Sequence, residues 1–87
     1  MYCLDIIISC NNPKQPLRLL VIEIPKQVGG KLLGSGFYGT HSVDLQLQYE
    51  FEDEVRGAKS YLEKECRRLG YDYKTFVYME HVGIIEW

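Results

Sequence analysis

Two histidines, His41 and His81, and three cysteines, Cys3, Cys10 and Cys66, are the residues of this chain suited to proton transfer or nucleophilic attack near neutral pH. Their spacing assembles nothing. An odd number of cysteines without C-x-x-C spacing fits neither a disulfide framework nor a zinc knuckle, so a reducing, cytoplasmic setting is expected. No H-x-x-H, H-E-x-x-H or aspartate-rich calcium loop is present, and neither a metal nor a cofactor is expected. Cys66 falls on an apolar helical stripe, which is the place of a small core residue.

A glycine motif is the other chemical candidate. Gly34, Ser35, Gly36, Phe37, Tyr38 and Gly39 satisfy G-x-G-x-x-G, with Leu33 before them and Val43 after. The stretch looks like the phosphate loop of a protein kinase, a resemblance that implies anion or nucleotide binding at Gly34, Ser35, Gly36 and Gly39. The remaining kinase parts are missing: the next strand carries no lysine, and 87 residues leave no room for catalytic and metal-binding loops. The Rossmann fingerprint must open a helix, whereas this one runs into a period-two strand. The competing reading is a flexible connection that uses glycine for positive φ and close approach, anchored by Phe37 and Tyr38.

Hydrophobic periodicity supplies the frame. Tyr2–Ser9 is short, isoleucine-rich and followed by the turn formers Asn11, Asn12 and Pro13, so it reads as a first strand. Leu17–Ile24 is again short and aliphatic, and Pro25 ends it; it reads as a second strand. Between Gln27 and Thr40 five glycines predict a long connection. Past it Val43, Leu45, Leu47, Tyr49 and Phe51 alternate with polar residues, the mark of an antiparallel strand with one dry face. From Glu52 the period changes: Val55, Ala58, Leu62, Cys66 and Leu69 share one stripe of a helix. Asp53 is the expected N-cap, Glu52 and Glu54 suit the positive end of the dipole, Arg67 and Arg68 the negative end, and Gly70 the stop. Glu52 with Arg56 and Glu63 with Arg67 are favourable i,i+4 pairs, which makes an ordinary solvated face. Tyr71–Glu80 reads as another strand, and Val82–Trp87 as a short last strand or a tail folded onto the sheet.

These elements predict one α+β domain over residues 1–87: an antiparallel sheet of four or five strands, in βββαβ order, with one helix on one face. Such a chain buries about 60% of the surface it exposes unfolded, enough for one core and little machinery. A net charge of −2 gives no global reason to bind a DNA backbone or an anionic membrane, and no run of about 20 apolar residues is present.

One helix covers one face, yet three predicted strands carry apolar groups on both. Cys3 and Ile7 oppose Leu4, Ile6 and Ile8; Leu19 and Val21 oppose Leu20, Ile22 and Ile24; Phe76 and Tyr78 oppose Tyr73, Val77 and Met79. The surplus is covered either by the glycine-rich connection and the tail with Ile84, Ile85 and Trp87, or by another molecule. The expected function is therefore non-enzymatic: a small intracellular module that binds another protein, with a homodimer among its forms. Its contact residues are expected at Phe37, Tyr38, Tyr73, Phe76, Tyr78 and Trp87, because aromatic side chains anchor interfaces. Size, acidity and single-domain build match the general form of small inhibitors such as phage-encoded anti-defence proteins and toxin antidotes. The alternative is single-stranded nucleic acid stacked on Tyr71, Tyr73, Phe76 and Tyr78, flanked by Lys74 and by Arg56, Lys59, Lys64, Arg67 and Arg68 of the helix. That requires the aromatic and basic residues to share one surface.

Overall fold

In the computed structural model of the chain, residues 1–12, 16–38 and 41–85 are described, Tyr38 by its main chain. Five strands form one antiparallel sheet: β1 (Tyr2–Ser9), β2 (Lys31–Tyr38), β3 (Ser42–Tyr49), β4 (Asp72–Met79) and β5 (Gly83–Ile85). Their order across the sheet is β2-β3-β1-β4-β5. A single 3₁₀ turn over Leu17–Leu19 leads into helix α1 (Leu20–Val28), and helix α2 (Glu52–Leu69) links β3 to β4. The sequence βαββαβ with β1 central is the ferredoxin-like arrangement, here extended by β5 at one edge. The expected class, an α+β antiparallel sheet with its helix layer on one face, is the one observed.

Two elements differ from the expectation. Leu17–Ile24 is helical rather than a second strand, so the order is not βββαβ and the helix layer holds α1 beside α2. A short apolar run does not reveal its period by itself, and tertiary packing decides it. Here Leu17 and Ile24 are buried and Leu20, Val21 and Val28 pack partly against the same core, which is three- and four-residue spacing; Ile22 lies outside it and is exposed. Pro25 sits inside α1 rather than ending it. The glycine-rich segment is not a long connection either, since Lys31–Tyr38 pairs with β3 throughout, with one register shift between Leu32 and Gly34. A β-carbon on Gly36 would come within 2.8 Å of Asp44 Oδ1, so glycine makes room on β2 for a side chain of β3.

The core lies between the sheet and the two helices. Leu4, Ile6 and Ile8 of β1 and Val43, Leu45 and Leu47 of β3 meet Val55, Ala58, Leu62 and Cys66 of α2. Helix α2 begins without a side-chain N-cap: its cap position is Phe51, whose N–H donates to Glu54 Oε1 at 3.3 Å, and Asp53 lies inside the first turn. The carboxylate three residues on thus satisfies the N–H of the cap residue itself, a different donor from the first-turn amide that an Asp53 cap would have taken. Gly70 closes the helix in the left-handed region at φ 75°. Of the expected ion pairs Glu52–Arg56 forms, at 3.2 Å; Glu63 instead pairs with Lys59 and accepts from Thr75 of β4, while Arg67 donates to Tyr73.

Tyr49 fastens α1 to the sheet. It is buried at the end of β3, and its hydroxyl donates to the carbonyls of Val28 and Gly29 at 3.3 and 3.2 Å, partners for a helix end that would otherwise lack them. Burial, with Glu54 nearby, pushes its pKa up to about 12. Gly30 turns beneath the ring at φ 82°, where a β-carbon would lie 2.7 Å from two ring atoms.

Two consequences are expected. Tyr49→Phe should cost about 1–2 kcal/mol, and Gly30→Ala about 2 kcal/mol or more, in urea unfolding of the whole chain. A tyrosine whose folded pKa is raised holds its contribution below the unfolded pKa near 10 and loses it as pH climbs through 12. Stability should thus fall by about 1–3 kcal/mol between pH 10 and 12, with a smaller fall in Tyr49→Phe. Equal slopes in the two proteins would show that Tyr49 is not the group responsible.

Candidate functional site

Pairing across the sheet fixes what the face opposite the helices presents. Residues directly opposite in antiparallel strands share a face, so four rows can be read from the register; the end row runs Ser42, Ser9, Asp72, beside three others. The middle row runs Gly34, Gln46, Asp5, Phe76; one neighbour runs Gly36, Asp44, Ile7, Lys74; the other runs Lys31, Gln48, Cys3, Tyr78, Ile84. Both helices pack on the other side, and β2 and β5 lie in the sheet plane. Among the described residues, nothing covers this face.

Its chemistry is divided. Toward β4 and β5 it is apolar and aromatic: Phe76 is 38% exposed and Ile84 61%, with Ile7, Tyr78 and Cys3 half-buried. Toward β3 and β2 it is polar, and the glycines of β2 leave a shallow strip beside Asp44 and Gln46. Asp5 stands between the halves on the central strand. Its Oδ1 is shut off from solvent yet has no hydrogen-bond partner among the described residues. Burial pushes the carboxyl above its ordinary range, and Asp44 nearby pushes the same way. Hydrogen bonds donated to the carboxyl by the side chains of Gln46 and Tyr78 act in the opposite direction, without reversing the net effect. Tyr78 in turn is held protonated by burial and by Asp5. An acid with one oxygen unmatched, set at the border of an apolar patch on an uncovered face, is a costly arrangement for a surface that stays in water.

The expected contact residues divide accordingly. Phe76 and Tyr78 lie together on the open face. Tyr73 has the other parity, packs against the core and accepts from Arg67 at 3.2 Å. Phe37 is 54% exposed at the β2 edge, paired with the core residue Val43 and so on the helix side. Tyr38 continues β2 opposite Ser42 by its backbone, while Trp87 lies outside the described residues. Gly34, Ser35 and Gly36 are strand residues whose backbone is engaged with β3, not a loop closing on an anion; Gly39 lies outside the described residues. The basic residues Arg56, Lys59, Lys64, Arg67 and Arg68 belong to α2, on the opposite layer from Phe76 and Tyr78; of the expected flanking bases Lys74 shares the aromatic surface, and Lys31 stands at its β2 edge.

Catalytic groups do not converge among the described residues. His41 and His81 are exposed, and His81 pairs at 3.7 Å with Glu80. Cys66 is buried, with burial and the adjacent Glu65 and Glu63 pushing its thiol up to about 11, which makes it inert. No group of three or more metal-ligating side chains occurs among the described residues. A recess of about 590 Å³ between α1 and α2 is lined by Ile24, Leu62 and Cys66 and bordered by Glu65 and Arg68, which pair with each other at 2.7 Å.

Sequence reasoning missed Asp5 and Asp44 as parts of the site, and named Lys74 only as a flanking base for nucleic acid. The signal for Asp5 was visible as the one charge inside an isoleucine run. Asp44 and Lys74 become partners of Ile7 only through register.

No protein-family model matches this sequence, and no curated protein is significantly similar to it. Solved structures share its fold. A de novo designed protein superposes with a TM-score of 0.67 at 10% identity, covering 92% of this chain and 98% of its own. A structural-genomics protein of Agrobacterium tumefaciens gives 0.58 at 18% identity, covering 95% and 97%. A PII-like signalling protein of Thermus thermophilus gives 0.56 at 16% identity, covering 87% and 83%.

Removing the charge at Asp5 should relieve a cost. A carboxyl whose folded pKa is raised is least favourable to folding when ionised, so stability should rise as pH falls through the carboxylate range. Asp5→Asn should abolish that rise and leave Tm at pH 7 unchanged or a few degrees higher. A clear drop in Tm would mean that Asp5 is a structural acid instead. At identities this low, what these superpositions establish is the ferredoxin-like α+β fold of this chain.

Proposed function

We propose that the chain is a non-enzymatic module that binds another protein by laying its open sheet face on the partner's surface. The observation that carries this reading is the uncovered patch of Ile7, Phe76, Tyr78 and Ile84 beside an acid with an orphan oxygen. Apolar groups of this kind are seldom left in water as one patch, and aromatic residues at its centre are the usual anchors of protein contacts. The unmatched Asp5 oxygen marks where a partner's donor would sit. Protein is favoured over nucleic acid because the basic residues of α2 lie on the far layer, so a backbone tracking them would miss the aromatic rings.

Regulation by contact also suits the company the fold keeps, which includes a PII-like signalling protein. A small acidic binder of this build acts by occlusion, covering a surface that its target needs, as an inhibitor or anti-defence protein does. Three unpaired cysteines suit a reducing compartment, and no helix among the described residues is long and apolar enough to cross a membrane.

Affinity capture from the native host with wild type, Phe76→Ser and Tyr78→Ser tests the reading. Both substitutions lie on the exposed side of β4 and should preserve the circular dichroism spectrum while weakening capture of the same partner at least about tenfold. Undiminished capture by both variants would move the contact elsewhere. Sensitivity to Arg67→Ala and Phe37→Ser, with indifference to Phe76→Ser, would place it on the helix side.

A further inference from the structure

The open face is complementary to itself. Lys74 and Asp44 lie in one row, on the two strands that flank β1, with Ile7 between them. A two-fold axis lying between two facing sheets and running nearly parallel to β1 carries each β4 over the other copy's β3. It leaves the height along the strands unchanged. Lys74 of each copy then stands over Asp44 of the other, twice, while Ile7 meets Ile7 at the centre. Phe76 and Tyr78 come over Gln46 and Gln48, and Ile84 of β5 comes over Lys31 at the far end of the row it shares with Tyr78. The other in-plane two-fold, running across the strands between the Asp5 and Ile7 rows, sets Lys74 over Phe76 and Asp5 over Ile7; moved along to match Lys74 with Asp72, it leaves Asp44 over Ser42 without a charged partner.

We infer that the partner this face fits is a second copy of the same chain, joined sheet to sheet about a two-fold axis along β1. The inference rests on the open face being the contact surface, and it names the occupant. Size permits it. Four strands about 4.8 Å apart and about 26 Å long, with the short β5 beside them, offer roughly 550 Å² per copy, and roughly 1,100 Å² in all clears the ~1,000 Å² expected of a specific interface. Sheets packed this way lie about 10 Å apart and within about 30° of alignment, a gap that the side chains of these rows span. Asp5 then faces Asp5. Two carboxyls brought this close disfavour double ionisation, so the pair can share one proton, as paired acids do. The contact is isologous, so it closes at two copies.

The charge row makes a decisive test. Lys74→Asp gives each face two acids on this row, and Asp44→Lys gives each face two bases. Each variant alone should weaken self-association at least about tenfold through like charges in register. Mixed in equal amounts, the two variants should form a heterodimer, because every acid then meets a base of the other chain. Sedimentation equilibrium on wild type, each variant and the mixture, across roughly 1 to 300 µM, reads the result, with circular dichroism confirming that each variant is folded. Dimeric wild type, weakened single variants and a restored mixture establish the pairing. Wild type that stays monomeric throughout overturns it, as does dimeric wild type whose association the single variants leave intact or the mixture fails to restore. If wild type is monomeric while Phe76→Ser still abolishes capture of a host protein, the second copy is excluded and the open-face reading stands. If Phe76→Ser changes neither, both fall.

Discussion

The structure depends on one packing event: the alternate face of β1 and β3, carrying Leu4, Ile6, Ile8, Val43, Leu45 and Leu47, closing against Val55, Ala58, Leu62 and Cys66 of α2. These side chains are almost wholly removed from water, and each contributes on the order of 1.5–3 kcal/mol of transfer free energy. Central strands paired on both sides cannot slip by one residue without turning this set outward, so the register of the whole sheet follows from it. The same register places Asp5, Ile7 and Cys3 on the outer side. The site is thus a by-product of the core: whatever β1 does not bury inward, it must present outward.

Helix α1 is subordinate to that core and is held at its far end by Tyr49. A buried hydroxyl donating to Val28 and Gly29 gives the helix C-terminus the partners that water would otherwise supply, and Gly30 makes the ring's position possible. A proline at position 25 removes one helical donor, so α1 depends on its apolar contacts and this tether more than on intrinsic helicity. The layer is therefore built unequally, with α2 as its framework and α1 as a shorter piece pinned beside it.

Legibility followed the strength of periodicity. Ser42–Tyr49 alternates strictly because it has one dry and one wet face, and Glu52–Leu69 repeats at helical spacing because one stripe meets the sheet; both were readable to within a residue or two. Leu17–Ile24 was not, because a run of eight residues with six apolar ones satisfies either period until a core selects Leu17, Leu20, Val21 and Ile24. Lys31–Tyr38 was hidden for the opposite reason. Its glycines carry no strand preference of their own and are explained by Asp44, a residue eight positions on in the chain. At the site, Phe76 and Tyr78 were visible from composition and parity. The row that joins Asp44, Ile7 and Lys74 is a property of three strands at once, and no single segment contains it.

The bulge in β2 bears on how far association can run. An eight-residue edge strand with Leu32, Leu33 and Phe37 exposed is a template on which further strands could add without limit. Between Leu32 and Gly34 the ladder shifts by one residue, which bends the strand and breaks the even row of free amides and carbonyls. Lys31 adds a charge at the same end, and at the opposite edge β5 is only three residues long. Both borders of the sheet are thereby made poor seeds for fibres, and a protein that leaves a whole face bare can remain a discrete particle.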